Sequence, residues 1–218
     1  MATVSFHLAS ARPAGSSMHQ VSPEELQSFA EAIGLSRVAG GRCSTLFLLQ
    51  IYAETFLPQS FSNAFKVVAE IAHLEGVGRS SHTKAAAAFE RPPLLGLKKK
   101  HYLVGGKASV ARNIMLASGK KNREFRRIAE RNYINETIHL SPANIAKNIA
   151  NDIVKLYLNR SRKRSLTGNW IIFAEQNGQN YYLCLAAHDD GDDLIAEKIK
   201  TACSEEFPFL RSIMTAPS

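Results

Sequence analysis

Cysteine is scarce: Cys43, Cys184 and Cys203 are the only three in 218 residues. An odd number without a Cys-x-x-Cys pair argues against a disulfide framework and against a zinc site built on thiolates, and points to a reducing, cytoplasmic setting. Cys184 falls in an apolar strand and Cys203 at the end of an amphipathic helix, so both read as small buried hydrophobes. Long apolar runs are also missing. The best candidate, Thr45 to Leu57, is broken by Gln50, Glu54 and Thr55, well short of the roughly 18 to 20 residues that cross a bilayer.

The N-terminus has no charged region followed by an apolar stretch, so no secretory leader is expected. Residues 2–23 carry Arg12, several serines and no acid, a pattern that fits an organelle presequence as well as an irregular or strand-forming leader. Phosphate-loop and dinucleotide fingerprints are absent, because Gly76-Val77-Gly78 and Gly105-Gly106-Lys107 have the wrong spacing. No Gly-x-Ser-x-Gly elbow occurs, and there is no internal repeat. His73 and His82 have no neighbouring carboxylate motif for zinc. The run His188-Asp189-Asp190-Gly191-Asp192-Asp193 lacks the alternation of a calcium loop and reads as the acidic start of a helix. Neither a metal nor a cofactor is expected.

What is present suggests one α+β domain over residues 1–218, with a subdivision into a mostly helical part, 1–90, and a part with basic helices and a hairpin sheet, 91–218. Ser22-Pro23-Glu24-Glu25 predicts a helix start and Gly34 its end. Ser44 to Phe56 and Ser62 to Leu74 predict two packed helices, the second burying Phe65, Val68, Ala69 and Ala72. Val77 to Lys100, with Pro92-Pro93-Leu94-Leu95-Gly96 at its centre, reads as a long loop. Lys107–Ala117 and Asn122–Asn132 predict two further helices. Ser141-Pro142 opens a long one with Ile145, Ile149, Ile153, Leu156 and Tyr157 as a single buried stripe.

Asn177-Gly178 between apolar runs predicts a hairpin with a type I′ turn. A two-residue turn would oppose Phe173 to Tyr182, Ile172 to Leu183 and Ile171 to Cys184. Both hairpin faces are apolar, which places it inside a small antiparallel sheet covered by helices. Further strands are expected at Thr3–Leu8, Lys99–Val104 and Asn135–Leu140, then a helix to Cys203 and a packed tail at Phe207-Pro208-Phe209-Leu210.

Charge is distributed unevenly. Residues 91–164 hold 18 Lys and Arg against 4 Asp and Glu, a net of +14, and the rest of the chain carries −6 toward its total of +8. Such a surface gathers polyanions and binds phosphates with release of counterions. The candidate nucleic-acid contacts are Lys98, Lys100, Arg112, Lys120, Lys121, Arg123, Arg126, Arg127, Arg131, Arg162, Lys163 and Arg164. An acidic protein or an anionic membrane surface would suit the same charge.

Cleaving RNA without a metal needs a base, an acid and cations beside the developing phosphorane charge. Lys99 and His101, on one face of a strand after the Pro-rich loop, and His188 at the hairpin rim are the candidate catalytic groups. In outline the order of helices, basic middle and terminal hairpin resembles small metal-independent ribonucleases among bacterial toxins, a likeness that carries no residues across. The expected function is therefore RNA binding, with endoribonuclease activity as its catalytic form. The alternatives are a non-enzymatic module for nucleic acid or an acidic protein, and an enzyme on a small phosphorylated ligand held by Gly105-Gly106-Lys107 ahead of its helix.

Overall fold

A computed structural model describes residues 21–56, 64–79, 81–136 and 141–214. The strand expected at Thr3–Leu8 and most of the leader lie outside these residues. Helix α1, Pro23–Ala32, starts as the capping residues predict, with the Glu25 N–H donating to Ser22 Oγ at 3.1 Å. Gly34, in the left-handed region at φ 79°, leads into a second short helix, α2, Leu35–Ala39. Five residues are too few to display a helical period, so the sequence gives no sign of α2.

Helices α3, Thr45–Phe56, and α4, Ala64–Leu74, pack beside each other. The buried row of α4 is Ala64, Val67 and Ile71 rather than the expected Phe65, Val68, Ala69 and Ala72, and Phe65 is 64% exposed. Two adjacent rows of α4 are apolar. Contact with α3 and the sheet selects the one holding Val67 and Ile71, a choice that periodicity cannot make.

The loop after α4 has more order than its composition suggests. It contains strand β1, Ala87–Ala88, a cis Pro92-Pro93 bond and the buried residues Phe89, Leu94 and Leu97, then enters strand β2, Lys98–Tyr102. Next come α5, Lys107–Ser118, a 3-10 turn at Lys120–Asn122, α6, Arg123–Glu136, and α7, Pro142–Arg162. The expected strand at Asn135–Leu140 is replaced at its start by the end of α6; its remaining residues are not described. Ser141 caps α7 through the Asn144 N–H.

Strands β3, Asn169–Gln176, and β4, Gln179–Ala186, form the hairpin, with Asn177 and Gly178 both at positive φ as a type I′ turn requires. The order is β1-β2-β3-β4, antiparallel throughout. Phe173 faces Tyr182 as predicted. A bulge between Ile172 and Phe173 then shifts the register, so Ile172 faces Cys184 and Ile171 faces Leu185. Turn length fixes register only as far as the first bulge. Helix α8, Asp192–Cys203, and α9, Leu210–Met214, close the chain.

The sheet separates two cores. Tyr102, Ile171, Phe173, Tyr182 and Leu185 pack against α1 to α4, and Trp170, Ile172, Ala174, Leu183 and Cys184 against α8, α9 and the Phe89–Leu97 segment. Complete burial of Ile171, Ile172 and Phe173 contributes about 1.5–3 kcal/mol per side chain. This is the α+β architecture that the hairpin implies.

Helices α5, α6 and α7 pack chiefly against one another. The predicted stripe on α7 is correctly identified but only half-buried at all five positions. Ile128 is the one fully buried apolar side chain of these three helices among the described residues. Asn113 of α5 fastens them to the sheet: it donates to the Thr167 carbonyl at 2.8 Å and accepts from the Thr167 N–H at 2.9 Å.

Candidate acid-base cluster and basic surface

Alternation along β2 sends Lys100 and Tyr102 toward the α4 side and Lys99 and His101 toward the other. Pairing β2 with β3 sets His101 directly across from Trp170. His188, just beyond β4, completes the group. The His101 and His188 rings stack with centroids 5.3 Å apart, and the Trp170 ring centroid lies 4.5 Å from His188 and 6.4 Å from His101. Lys99 Nζ sits 4.4 Å from the Phe89 ring centre and 4.5 Å from that of Trp170, a cation between two aromatic faces. The three candidate catalytic side chains thus stand around one indole.

Gly168 holds this arrangement from the backbone. His101 Nδ1 lies 3.0 Å from the Gly168 carbonyl and 3.4 Å from its N–H. The shorter contact assigns the ring proton to Nδ1 and leaves Nε2 as the basic nitrogen. A Cβ at position 168 would stand 1.8 Å from the Tyr102 carbonyl oxygen, so only glycine lets the chain cross the end of β2 this closely. Among the described residues, Trp170 Nε1 and His188 Nε2 are buried and have no hydrogen-bond partner.

Both imidazoles are less basic than usual. Burial lowers His101 to about 4, and the positive groups His188, Lys84 and Lys100 act in the same direction against the Gly168 carbonyl. Burial also lowers His188, with Arg112 and Lys99 adding to it and the Gly168 backbone and Asp189 opposing. Both rings are neutral at pH 7. Two cations 5.3 Å apart repel, so the pair takes up one proton before the second. A base beside an acid is populated in mildly acidic solution, where one ring has gained its proton. His101 itself is only 7% exposed, which leaves the half-exposed His188 as the member nearer solvent.

The basic candidates divide into three groups. Lys100 does not belong to any surface: it is 1% exposed and donates to Ser81 Oγ, Thr83 Oγ1 and the Lys84 carbonyl at 3.1, 2.6 and 2.7 Å. These bonds use all three ammonium hydrogens, and Glu70 Oε2 at 3.1 Å balances the charge without a hydrogen of its own. Strand alternation turned it inward, so its assignment as a nucleic-acid contact is withdrawn. Lys98, Arg123, Arg127 and Arg131 are tied to acids, namely Glu175, Glu124 for both Arg123 and Arg127, and Asp152. Arg112, Lys120, Lys121, Arg126, Arg162, Lys163 and Arg164 are exposed and form no ion pair among the described residues. Lys121 and Arg164 occupy turns at positive φ, 54° and 49°.

Sequence reasoning missed Trp170, Phe89 and Gly168. The pairing of β2 with β3 is the signal that would have found Trp170, and nothing local encodes it. The Asp189–Asp193 segment starts α8 with Asp192 and Asp193 in its first turn, while Asp190 Oδ2 accepts from the Ala187 N–H at 2.9 Å. No group of His, Cys, Asp or Glu suited to a metal occurs among the described residues, and none of their helices is long and apolar enough to cross a membrane. Comparison with protein-family models, with curated proteins and with solved structures finds no match to this chain.

Proposed function

We propose that this protein binds RNA. The observation that supports this best is the set of seven exposed Lys and Arg side chains on α5, the turn before α6, α6 and the end of α7 that no acid neutralises among the described residues. Cations free of local partners are the ones that exchange condensed counterions for phosphates. The test is binding of short RNA by the full chain over a range of salt. Affinity should fall steeply with salt, and replacing Lys120, Lys121 and Arg126 by Ala should flatten the dependence. Salt-independent binding, or none, defeats the proposal.

A catalytic form of this reading draws support from the meeting of Lys99, His101 and His188. In it, one neutral ring takes the 2′-hydroxyl proton, the singly protonated partner gives a proton to the leaving oxygen, and Lys99 or Arg112 offsets the charge of the phosphorane. Cleavage should persist in EDTA, peak between about pH 4 and 6.5 and disappear in His188→Ala. Activity that rises through pH 8, or that survives this change, excludes the pair as its acid and base.

A further inference from the structure

A groove of about 300 Å³ runs between α6 and α7, lined by Arg131, Asn132, Asn148, Asn151, Asp152 and Lys155. Asn144, Asn148, Asn151, Lys155 and Asn159 recur at the spacing of a single helical face, so the α7 side of the groove is part of an asparagine stripe about 22 Å long. Asparagine is among the poorer helix formers, because its amide competes with the backbone. Four of them on one face of a 21-residue helix is a choice against local propensity.

The amides of Asn148 and Asn151 are exposed and have no hydrogen-bond partner among the described residues. Asn132 is buried and spends its NH2 on the Ile128 carbonyl at 2.8 Å. The only acid among the described residues that line the groove, Asp152, is bound by Arg131 and, at 3.0 Å, by Lys155, which leaves these residues with a net positive charge. The groove therefore offers paired amide donors and acceptors between two cations, beside the unpaired Lys and Arg of the same helices.

We propose that this groove receives the base of an unpaired nucleotide, and that adenine is favoured. An asparagine amide presents one donor and one acceptor side by side, matching the N7 acceptor and N6 donor of adenine. A base splayed from a single strand can enter a groove that a duplex cannot. Arg131 and Lys155 line the same groove, both held by Asp152. The proposal rests on the RNA-binding reading and adds to it a preference that charge alone cannot produce.

Binding of oligo(A), oligo(C) and oligo(U) to the full chain and to N148A/N151A tests it. Wild type should prefer oligo(A), and the variant should lose about tenfold or more of that preference with an unchanged salt dependence. Unfolding by heat checks that the variant folds, as expected for exposed Asn→Ala changes in a helix. Equal binding of the three oligomers by wild type, or a preference for oligo(A) retained in the variant, overturns the base site while leaving RNA binding intact. Failure to bind any of them overturns both readings.

Discussion

The sharpest consequence of the histidine pair concerns pH. The unfolded chain protonates His101 near pH 6.5, whereas the folded protein keeps it neutral down to about 4. Across that interval the unfolded state binds more protons, so stability rises with pH. The contribution is complete above about 6.5 and lost as pH falls to about 4. Its size is about 3 kcal/mol, the free-energy equivalent of that displacement. His101→Asn removes the titration and keeps an amide NH2 near Nδ1 to donate to the Gly168 carbonyl.

Urea unfolding of both proteins at intervals from pH 7.5 to 4 gives the two stability curves. Lost packing offsets the variant at every pH, but the difference between the curves should shrink by about 3 kcal/mol over the acidic interval. Groups common to both proteins and remote from His101 cancel in that difference. Parallel curves would mean that His101 protonates as easily folded as unfolded, and the buried neutral ring would be refuted.

Lys100→Met should destabilise the fold by about 3–5 kcal/mol, because it leaves the Glu70 carboxylate without its cation, and adding Glu70→Gln should restore part of the loss in the same urea assay. Gly168→Ala should cost at least about 3 kcal/mol, since its Cβ meets the Tyr102 carbonyl; a soluble variant of wild-type stability would disprove the close crossing. Glu75 accepts from Tyr182 Oη at 2.5 Å, Arg42 Nη2 at 2.6 Å and Asn180 Nδ2 at 3.1 Å. Glu75→Leu should therefore lower the unfolding midpoint in urea by an amount equivalent to about 2–4 kcal/mol.

Local chemistry was the legible part of this chain. Ser22 and Ser141 announced their helices because a cap is a contact between residues three apart. Asn177-Gly178 announced the hairpin because two adjacent residues must both reach positive φ. Whatever depends on a choice between equivalent faces was not legible: α4 has two apolar rows, and only the packed structure selects one. Lys98, Lys99 and Lys100 look alike in sequence, yet they end as an exposed ion pair, a cation between two rings and a buried charge. The convergence of Lys99, His101 and His188 was readable as a set of residue types. Trp170 at its centre was not, because it arrives through a strand pairing 69 positions away in sequence.

The bulge in the hairpin acts as a parity switch. Side chains alternate along β4 until Leu183 and Cys184, which both lie in the α8 core, and from there every residue takes the opposite side from the one that simple alternation would give it. His188 inherits the change. On a straight strand it would belong with the α3 and α4 side, separated from His101 by the thickness of the sheet. Leaving one residue of a scaffold strand out of the pairing thus decides whether the two imidazoles meet. Deleting Leu183 would remove the bulge and leave Cys184, Leu185 and His188 on the sides they now occupy. The histidine pair would survive the loss of the extra residue but not its accommodation in a straight ladder.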